Sequence, residues 1–305
     1  MRFSVIITTY NRVDVLPRAV GSVLSQQDAD LELIVVNDGS TDETRTFLDG
    51  LTDPRVVVVH QENGGLGAAR NSGMAHASSE WVIFLDDDDT PLPNWLSGLS
   101  EMVGREIGAV CCAAEYRTPS GDYVATARPG PMGPLFQNQI GNSLAGTFAV
   151  RTTLIRAIGG YDERMTCSHQ SELWLRLVPE LIDGGLAVRH TNQVLIHLER
   201  RSPHERPLSS PEALYLGTRL LLDKHRDTYA RHRASRANSY GVLGVSAARL
   251  GKWSEARSAL LASARAEPLS PRRWLRFGTV IVPALASRVW RTADYEERAS
   301  HDLPD

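Results

Sequence analysis

Hydrophobic positions follow two alternating periods along the first ninety residues. Phe3–Thr9 (FSVIITT) is a short, largely apolar run that predicts a buried strand, and Val13, Leu16, Val20, Val23 and Leu24 then recur at helical spacing. Leu31–Val36 is a second strand, followed by the turn Asn37-Asp38-Gly39-Ser40, and Ser40 and Glu43 have capping-box spacing for the next helix. Val56–Val59 is a third strand, Leu66–Ala77 a helix entered through Gly64-Gly65, and Trp81–Leu85 a fourth strand ending abruptly in Asp86–Asp89. Such alternation predicts a mostly parallel sheet with helices on both faces. Ligands of these sheets bind beyond the carboxyl ends of the strands. Thr8-Thr9-Tyr10, Asp38 and Asp86 are therefore expected to converge on one edge.

The pattern then loosens. Gly108–Tyr116 reads as a strand, Ser120-Gly121-Asp122 as a hairpin turn into another, and residues 129–142, rich in Pro, Gly, Asn and Gln, as a long functional loop. Glu172–Leu181 is a helix, Leu186–Arg189 and Val194–Leu198 are short strands, and Glu199–Ser210 (ERRSPHERPLSS) is a polar, Pro-broken lid or linker. From Pro211 the chain reads as helical. Leu243-Gly244, Gly251, Trp253, Ala256, Leu260 and Pro268 fall at the offsets of one tetratricopeptide-type hairpin over residues 237–270. A single repeat of that kind must pack on flanking helices. Arg276–Trp290 is an apolar segment with arginines at its ends, suited to an interfacial membrane helix or to a core-packed one. The division is thus an α/β domain over 1–205 and an all-α accessory region over 206–305.

Composition narrows the class. At 305 residues, with 42% hydrophobic and 23% charged positions, the chain can build one large α/β domain and an appendage. Disordered and collagenous classes are excluded. No apolar stretch reaches the ~18 residues of a transmembrane helix, and Met1–Tyr10 lacks the features of a signal peptide. Cys111 and Cys112 are adjacent and Cys167 stands alone, which gives neither a disulfide framework nor a metal-ligand spacing. A cytoplasmic location is expected. The net charge of −3 hides an asymmetry: residues 1–199 carry 14 basic against 25 acidic side chains, and residues 200–305 carry 19 against 11. A basic tail can face anionic lipid at the inner face of a membrane, or be a set of solvated helix faces. It lacks the interleaved aromatics and modules of nucleic-acid binders. A homo-oligomer is left open.

The most informative chemistry is Asp86-Asp87-Asp88-Asp89 at a strand end. Four successive carboxylates repel one another, which makes sense if Mg²⁺ or Mn²⁺ offsets the repulsion, with one or two carboxylates and substrate phosphates as ligands. Five segments then occur in order: Ser4–Arg12 (SVIITTYNR), Ile34–Asp42 (IVVNDGSTD), Asn63–Gly73 (NGGLGAARNSG), Phe84–Pro91 (FLDDDDTP) and Gly159–Glu163 (GGYDE). Together they resemble family 2 glycosyltransferases, inverting, nucleotide-sugar-dependent enzymes of the GT-A fold, over roughly residues 1–200.

The resemblance implies roles. Thr8, Tyr10 and Arg12 would flank the nucleotide, and Asp38 would accept from a uracil N–H, which favours UDP over dTDP or GDP. Arg70, with Asn71 beside it, would lie on the nucleotide side. Asp86, Asp87 and Asp88 would form the DxD-type signature, with Asp86 approaching the ribose hydroxyls, Asp87 on the nucleotide side and Asp88 binding the metal. Arg200, Arg201 and His204 stand where relatives carry a basic loop near the diphosphate. One departure matters. Relatives place a Glu-Asp pair before the acidic-Leu-aromatic-Leu-Arg-Leu helix, and that Asp is the acceptor's base; here the pair reads His169-Gln170. Glutamine cannot serve as a general base. Three readings remain: a base moved to Glu172, favoured over His169; an acceptor needing little base assistance; or a nucleotide-sugar-binding scaffold without catalysis. Sugar-1-phosphate nucleotidyltransferases are set aside, because the first strand leads into Thr-Tyr-Asn-Arg rather than a Gly-rich phosphate loop.

Overall fold

The computed structural model describes residues 2–26, 30–200 and 210–282, with Val289. The chain divides into two compact units, residues 1–163 with 169–200, and residues 164–168 with 201–305. The first carries β1 (Arg2–Thr9), α1 (Leu16–Leu24), β2 (Asp30–Asp38), α2 (Thr44–Asp49), β3 (Val56–Gln61), α3 (Gly65–His76) and β4 (Trp81–Asp86). Next come β5 (Thr90–Pro91), α4 (Trp95–Ser100), β6 (Ile107–Arg117), β7 (Tyr123–Ala127), β8 (Gly130–Pro131), β9 (Ile140–Gly141), β10 (Phe148–Arg151), α5 (Thr152–Ala157), α6 (His169–Asp183) and β11 (Ala187–Glu199). Among the described residues, nine strands form one sheet in the order β3-β2-β1-β4-β10-β6-β11-β5, with β7 paired to β6. β1, β2, β3 and β4 are mutually parallel; β10 enters antiparallel between β4 and β6.

Period-two burial explains the layers. On β1, Phe3, Val5 and Ile7 join the core under α1 and α4, whereas Ile6 joins the core under α3 and α6. Burying each such side chain stabilises by roughly 1.5–3 kcal/mol. The second core depends on a close approach: a Cβ on Gly73 of α3 would overlap Ile6 Cγ2. At the amino ends of these strands, away from the polar edge, Glu32 is buried and accepts hydrogen bonds from Ser4, Ser78 and Ser79. Burial raises its carboxyl, but these donors outweigh it and hold the group at about 2.

Several elements depart from the sequence reading. The helix expected from Val13 begins at Leu16. The capping box does not form: α2 starts at Thr44 without a side-chain cap, because Ser40 Oγ accepts from Asn11 N–H instead. Leu186–Arg189 and Val194–Leu198 are one strand, β11, interrupted by register shifts. The loop at 129–142 holds the small β8–β9 pair and a 3₁₀ turn at Pro134–Phe136.

The second unit is helical: α7 (Pro211–Lys224), α8 (Arg226–Arg231), α9 (Arg233–Arg249), α10 (Trp253–Ala266) and α11 (Pro271–Ile281). Ser210 caps α7 by accepting from Ala213 N–H, with Pro211 in its first turn. α9 and α10 form the hairpin through Gly251, and Gly244 lies so close to Leu260 that a Cβ would clash. Ala256 and Leu260 are buried there as their spacing implied. Of the segment read as a helix over Arg276–Trp290, residues 283–288 and 290 lie outside the described residues. No described helix is long and apolar enough to cross a membrane.

Candidate functional site

The strand register brings the expected polar ends together. Thr8 of β1 lies opposite Asp86 of β4, and Thr9 opposite Asn37 of β2. Past β1 the chain turns at Asn11, whose φ of +52° is a conformation asparagine tolerates. Asn11 Oδ1 then accepts from Thr41 N–H at 2.7 Å, and Asp42 accepts from Val13 N–H at 3.3 Å. The polar residues after β2 thus brace the loop after β1. Tyr10 projects from that loop, about half exposed, while Thr8 and Thr9 are buried.

Asp38 is buried at the end of β2 and organises its neighbours. Oδ1 accepts from Gln61 Nε2 and Gly64 N–H, both at 2.8 Å, and Oδ2 from Gly65 N–H at 2.9 Å. The carboxylate read from the sequence as a base contact therefore shapes the glycine corner that opens α3. Its charge also lies at the positive end of that helix.

Arg70 emerges from α3 with its side chain almost wholly buried and donates to Asp86 Oδ1 at 2.8 Å. Its guanidinium lies over the Tyr161 ring, 5.0 Å from the centroid, and Phe84 meets the same ring edge-on. Tyr161 is delivered by the GGYDE segment, which Asn71 clamps. Asn71 Oδ1 accepts from Tyr161 N–H at 2.8 Å, and Nδ2 donates to Tyr161 O at 3.0 Å and to Glu163 Oε1 at 2.9 Å. The clamp requires Gly160, which has φ +72° and where a Cβ would overlap Asn71 Oδ1. Asn71 therefore serves the scaffold, and Tyr161 is a site residue the sequence reading did not single out. Its signal was an aromatic inside a motif whose glycines force a close approach.

The acidic run sorts by neighbour. Asp87 is buried, and burial pushes its carboxyl up to about 7 against the pull of Thr9 and Arg12. Arg12 pairs with Asp88 at 3.2 Å and approaches Asp87 at 3.8 Å, so it faces the aspartates. Asp89 Oδ1 accepts from Glu199 N–H at 2.9 Å, tying the run to β11. Arg18 donates to Asp88 O at 2.6 Å and to the Glu199 carboxylate. Neither Arg18 nor Glu199 was expected here from the sequence, since their contact joins residues far apart in the chain.

At the start of α6, Tyr161 Oη donates to Gln170 Oε1 at 3.0 Å. Burial pushes the Tyr161 hydroxyl up to about 12 against the pull of Arg70, so it stays a donor. Gln170 Nε2 is buried without a protein partner. Glu172, favoured from the sequence as the acceptor's base, is enclosed at 0% exposure, and its two oxygens accept from Arg176 at 2.8 and 2.6 Å. Arg176 also donates to Ile158 O at 2.6 Å. Helical i,i+4 spacing thus gives Glu172 an ion-pair partner in Arg176. His169 is also buried. Arg200 is exposed, its N–H bonded to Arg117 O at 2.7 Å, while Arg201 and His204 lie outside the described residues.

The donor set at this edge is that of a hard divalent cation. It offers only carboxylate oxygens, and among the described residues no group of three or more His, Cys, Asp or Glu could hold an ion alone. That fits Mg²⁺ or Mn²⁺ held by one or two carboxylates and completed by phosphate oxygens.

Compared with known proteins, residues 4–158 match Glycosyl transferase family 2. An uncharacterized glycosyltransferase of Nostoc sp. is 41% identical over 105 residues, covering 33% of each chain. The Campylobacter jejuni GalNAc(5)-diNAcBac-PP-undecaprenol beta-1,3-glucosyltransferase is 38% identical over 104 residues, 33% of this chain and 34% of that one. The matched stretches span 33%, 57% and 58% of the length of three such relatives. Among solved structures, S. aureus TarS 1-349 in complex with UDP-GlcNAc gives a TM-score of 0.62 at 18% identity, covering 98% of this chain and 92% of that one. A mannosyltransferase from Pyrobaculum calidifontis, in complex with GDP-Man and Mn²⁺, gives 0.53 at 17% identity over 94% and 86%. The likeness establishes the GT-A fold.

Proposed function

The chain belongs to glycosyl transferase family 2, and from that membership we propose that it transfers a sugar from a nucleoside diphosphate sugar to an acceptor, with inversion at the anomeric carbon. The observation that carries the reading is the Arg70–Asp86 pair, seated on Tyr161 at the carboxyl edge of the sheet. A buried arginine orients Asp86, whose side chain is half exposed, toward a ribose hydroxyl. Tyr10 covers a face of the base. UDP remains favoured, although the Asp38 contacts weaken the argument from the base edge; one fold neighbour binds UDP-GlcNAc and another GDP-Man, so uridine, thymidine and guanosine donors all belong in the test. Asp88 would hold the divalent cation, which neutralises charge on the departing diphosphate when bound. Arg12 and Arg18 limit the repulsion within the acidic run.

In this reading the acceptor attacks the anomeric carbon as the nucleoside diphosphate leaves, and Glu172, whose oxygens accept from Arg176, is not the group that takes its proton. Proton removal then falls to His169, or the nucleophile is an amine, a thiol or an acidic hydroxyl that needs little help. A second reading, a nucleotide-sugar-binding protein without transfer, is favoured by Gln170 at the usual base position. One experiment addresses both. Thermal shift with a panel of nucleotide sugars, with and without Mn²⁺, followed by donor turnover on the best binder, yields stabilisation and nucleotide release for an enzyme. Stabilisation without release supports the second reading, and no stabilisation by any nucleotide sugar refutes both.

A further inference from the structure

Helix α11 shows solvent the kind of face that soluble helices bury. It attaches to its unit through Arg273, Phe277 and Val280, one side of the helix. Val280 is buried and Phe277 packs on the cluster around Tyr215, Ala247 and Leu260. Arg273 donates to Glu267 Oε2 at 2.7 Å, Ala237 O at 3.1 Å and Asn238 Oδ1 at 2.7 Å. On the other side Pro271, Trp274, Leu275, Gly278 and Ile281 recur at spacings of three and four residues, and all five are exposed, as is Val282 just past the helix. Leu275 is 71% exposed, and Leu269 immediately before the helix is 96% exposed. Isolated exposed leucines need no explanation, but a continuous apolar stripe at helical period does.

Charge selects the occupant. Arg272 and Arg276 are exposed beside the stripe. From residue 268 to 293 the sequence contains five arginines (Arg272, Arg273, Arg276, Arg288 and Arg291) and no aspartate or glutamate. A protein partner would cover an apolar stripe equally well, yet an acid-free, arginine-flanked stripe containing a tryptophan fits an anionic interface. We propose that α11 is a lipid-binding helix that lies in the surface of an anionic bilayer, with Trp274, Leu275 and Ile281 entering the acyl boundary and Arg272 and Arg276 among the headgroups. The proposal is independent of the sugar-transfer reading.

Co-sedimentation of the full chain with vesicles tests it. Vesicles of equal phosphatidylglycerol and phosphatidylcholine should pull the protein down, pure phosphatidylcholine should do so poorly, and added salt should weaken binding. Leu275→Glu should lower the partition at least tenfold. The double substitution Arg272→Gln, Arg276→Gln should weaken binding to the anionic vesicles alone, by roughly a factor of five per arginine. Because Leu275, Arg272 and Arg276 are exposed, the melting temperature should not move; Ile281→Ser serves as the second apolar variant if Leu275→Glu melts early. Equal sedimentation of wild type and variants, or indifference to phosphatidylglycerol, overturns the proposal. A concentration-dependent dimer that Leu275→Glu abolishes also overturns it and assigns the stripe to a second copy.

Discussion

Replacing Glu172 by glutamine separates a structural carboxylate from a catalytic one. In the wild type both carboxylate oxygens accept from Arg176, at 2.8 and 2.6 Å, and Arg176 carries the contact on to Ile158 O. The bond therefore ties the first turn of α6 to the segment that leads into Tyr161. Removing one partner of a buried ion pair costs about 3–5 kcal/mol. Glutamine keeps one acceptor, and the Arg176 side chain retains 18% exposure, so the expected loss is reduced to about 2 kcal/mol. For a unit of this size that lowers the melting temperature by about 4–8 °C. Below the new melting transition, kcat should fall by less than about tenfold. The measurements are a thermal melt and a donor-turnover assay on the same preparation, with donor affinity checked separately. A true base would behave oppositely, losing on the order of 10²–10⁴ in rate at unchanged melting temperature. That outcome, particularly if the loss eased with a more acidic acceptor, would refute the assignment of Glu172 to the scaffold.

Three further expectations follow from particular contacts. Gly160→Ala forces a side chain into positive φ and onto Asn71 Oδ1, so it should cost at least about 2 kcal/mol in urea unfolding and weaken donor binding by displacing Tyr161; unchanged stability would contradict the clamp. Glu32 ionises at about 2 in the folded protein, below its ordinary 4.5, so its contribution is complete above about pH 4.5 and is lost as pH falls toward 2. Glu32→Gln should therefore be less stable by about 3 kcal/mol at neutral pH, with the gap closing in acid; a gap independent of pH between 5 and about 2 would contradict this. Arg70→Lys keeps the charge but loses the stacked, planar contact with Tyr161, and should weaken donor binding about tenfold in calorimetry; wild-type affinity would remove Arg70 from the site.

Much of this architecture is legible in the sequence because it is written in local period. The strands from Phe3, Leu31, Val56 and Trp81 and the convergence of their carboxyl ends follow from apolar runs alternating with helical spacing. The site residues were legible as types more than as contacts. Glu172 reads from the sequence as a base moved from the family position that Gln170 occupies, while its spacing four residues before Arg176 supplies an ion-pair partner. Ser40 and Glu43 have the spacing of a capping box, yet a residue from another loop, Asn11, competes for the serine hydroxyl. Asp38 reads from the sequence as a strand-end acid facing the base, and only the return of residues 61–65 to it reveals its three donors. Tyr161 and Arg18 act through pairings distant in sequence, which no local period records.

The most direct test of the account is donor binding by Asp88→Asn compared with wild type, measured by thermal shift and by turnover with Mn²⁺ and with the ion chelated. Asp88 stands at a strand end among three other carboxylates, so the substitution relieves repulsion, which offsets the loss of its pair with Arg12, and the melting temperature of the free protein should stay close to that of wild type. Wild type should be stabilised by its nucleotide sugar in Mn²⁺, lose most of that stabilisation on chelation, and release nucleoside diphosphate only with the ion present. The variant should melt normally and show neither the Mn²⁺-dependent stabilisation nor turnover. Full turnover by Asp88→Asn at saturating Mn²⁺ would contradict the assignment of the acidic run as the cation's seat and of this edge of the sheet as the site of sugar transfer.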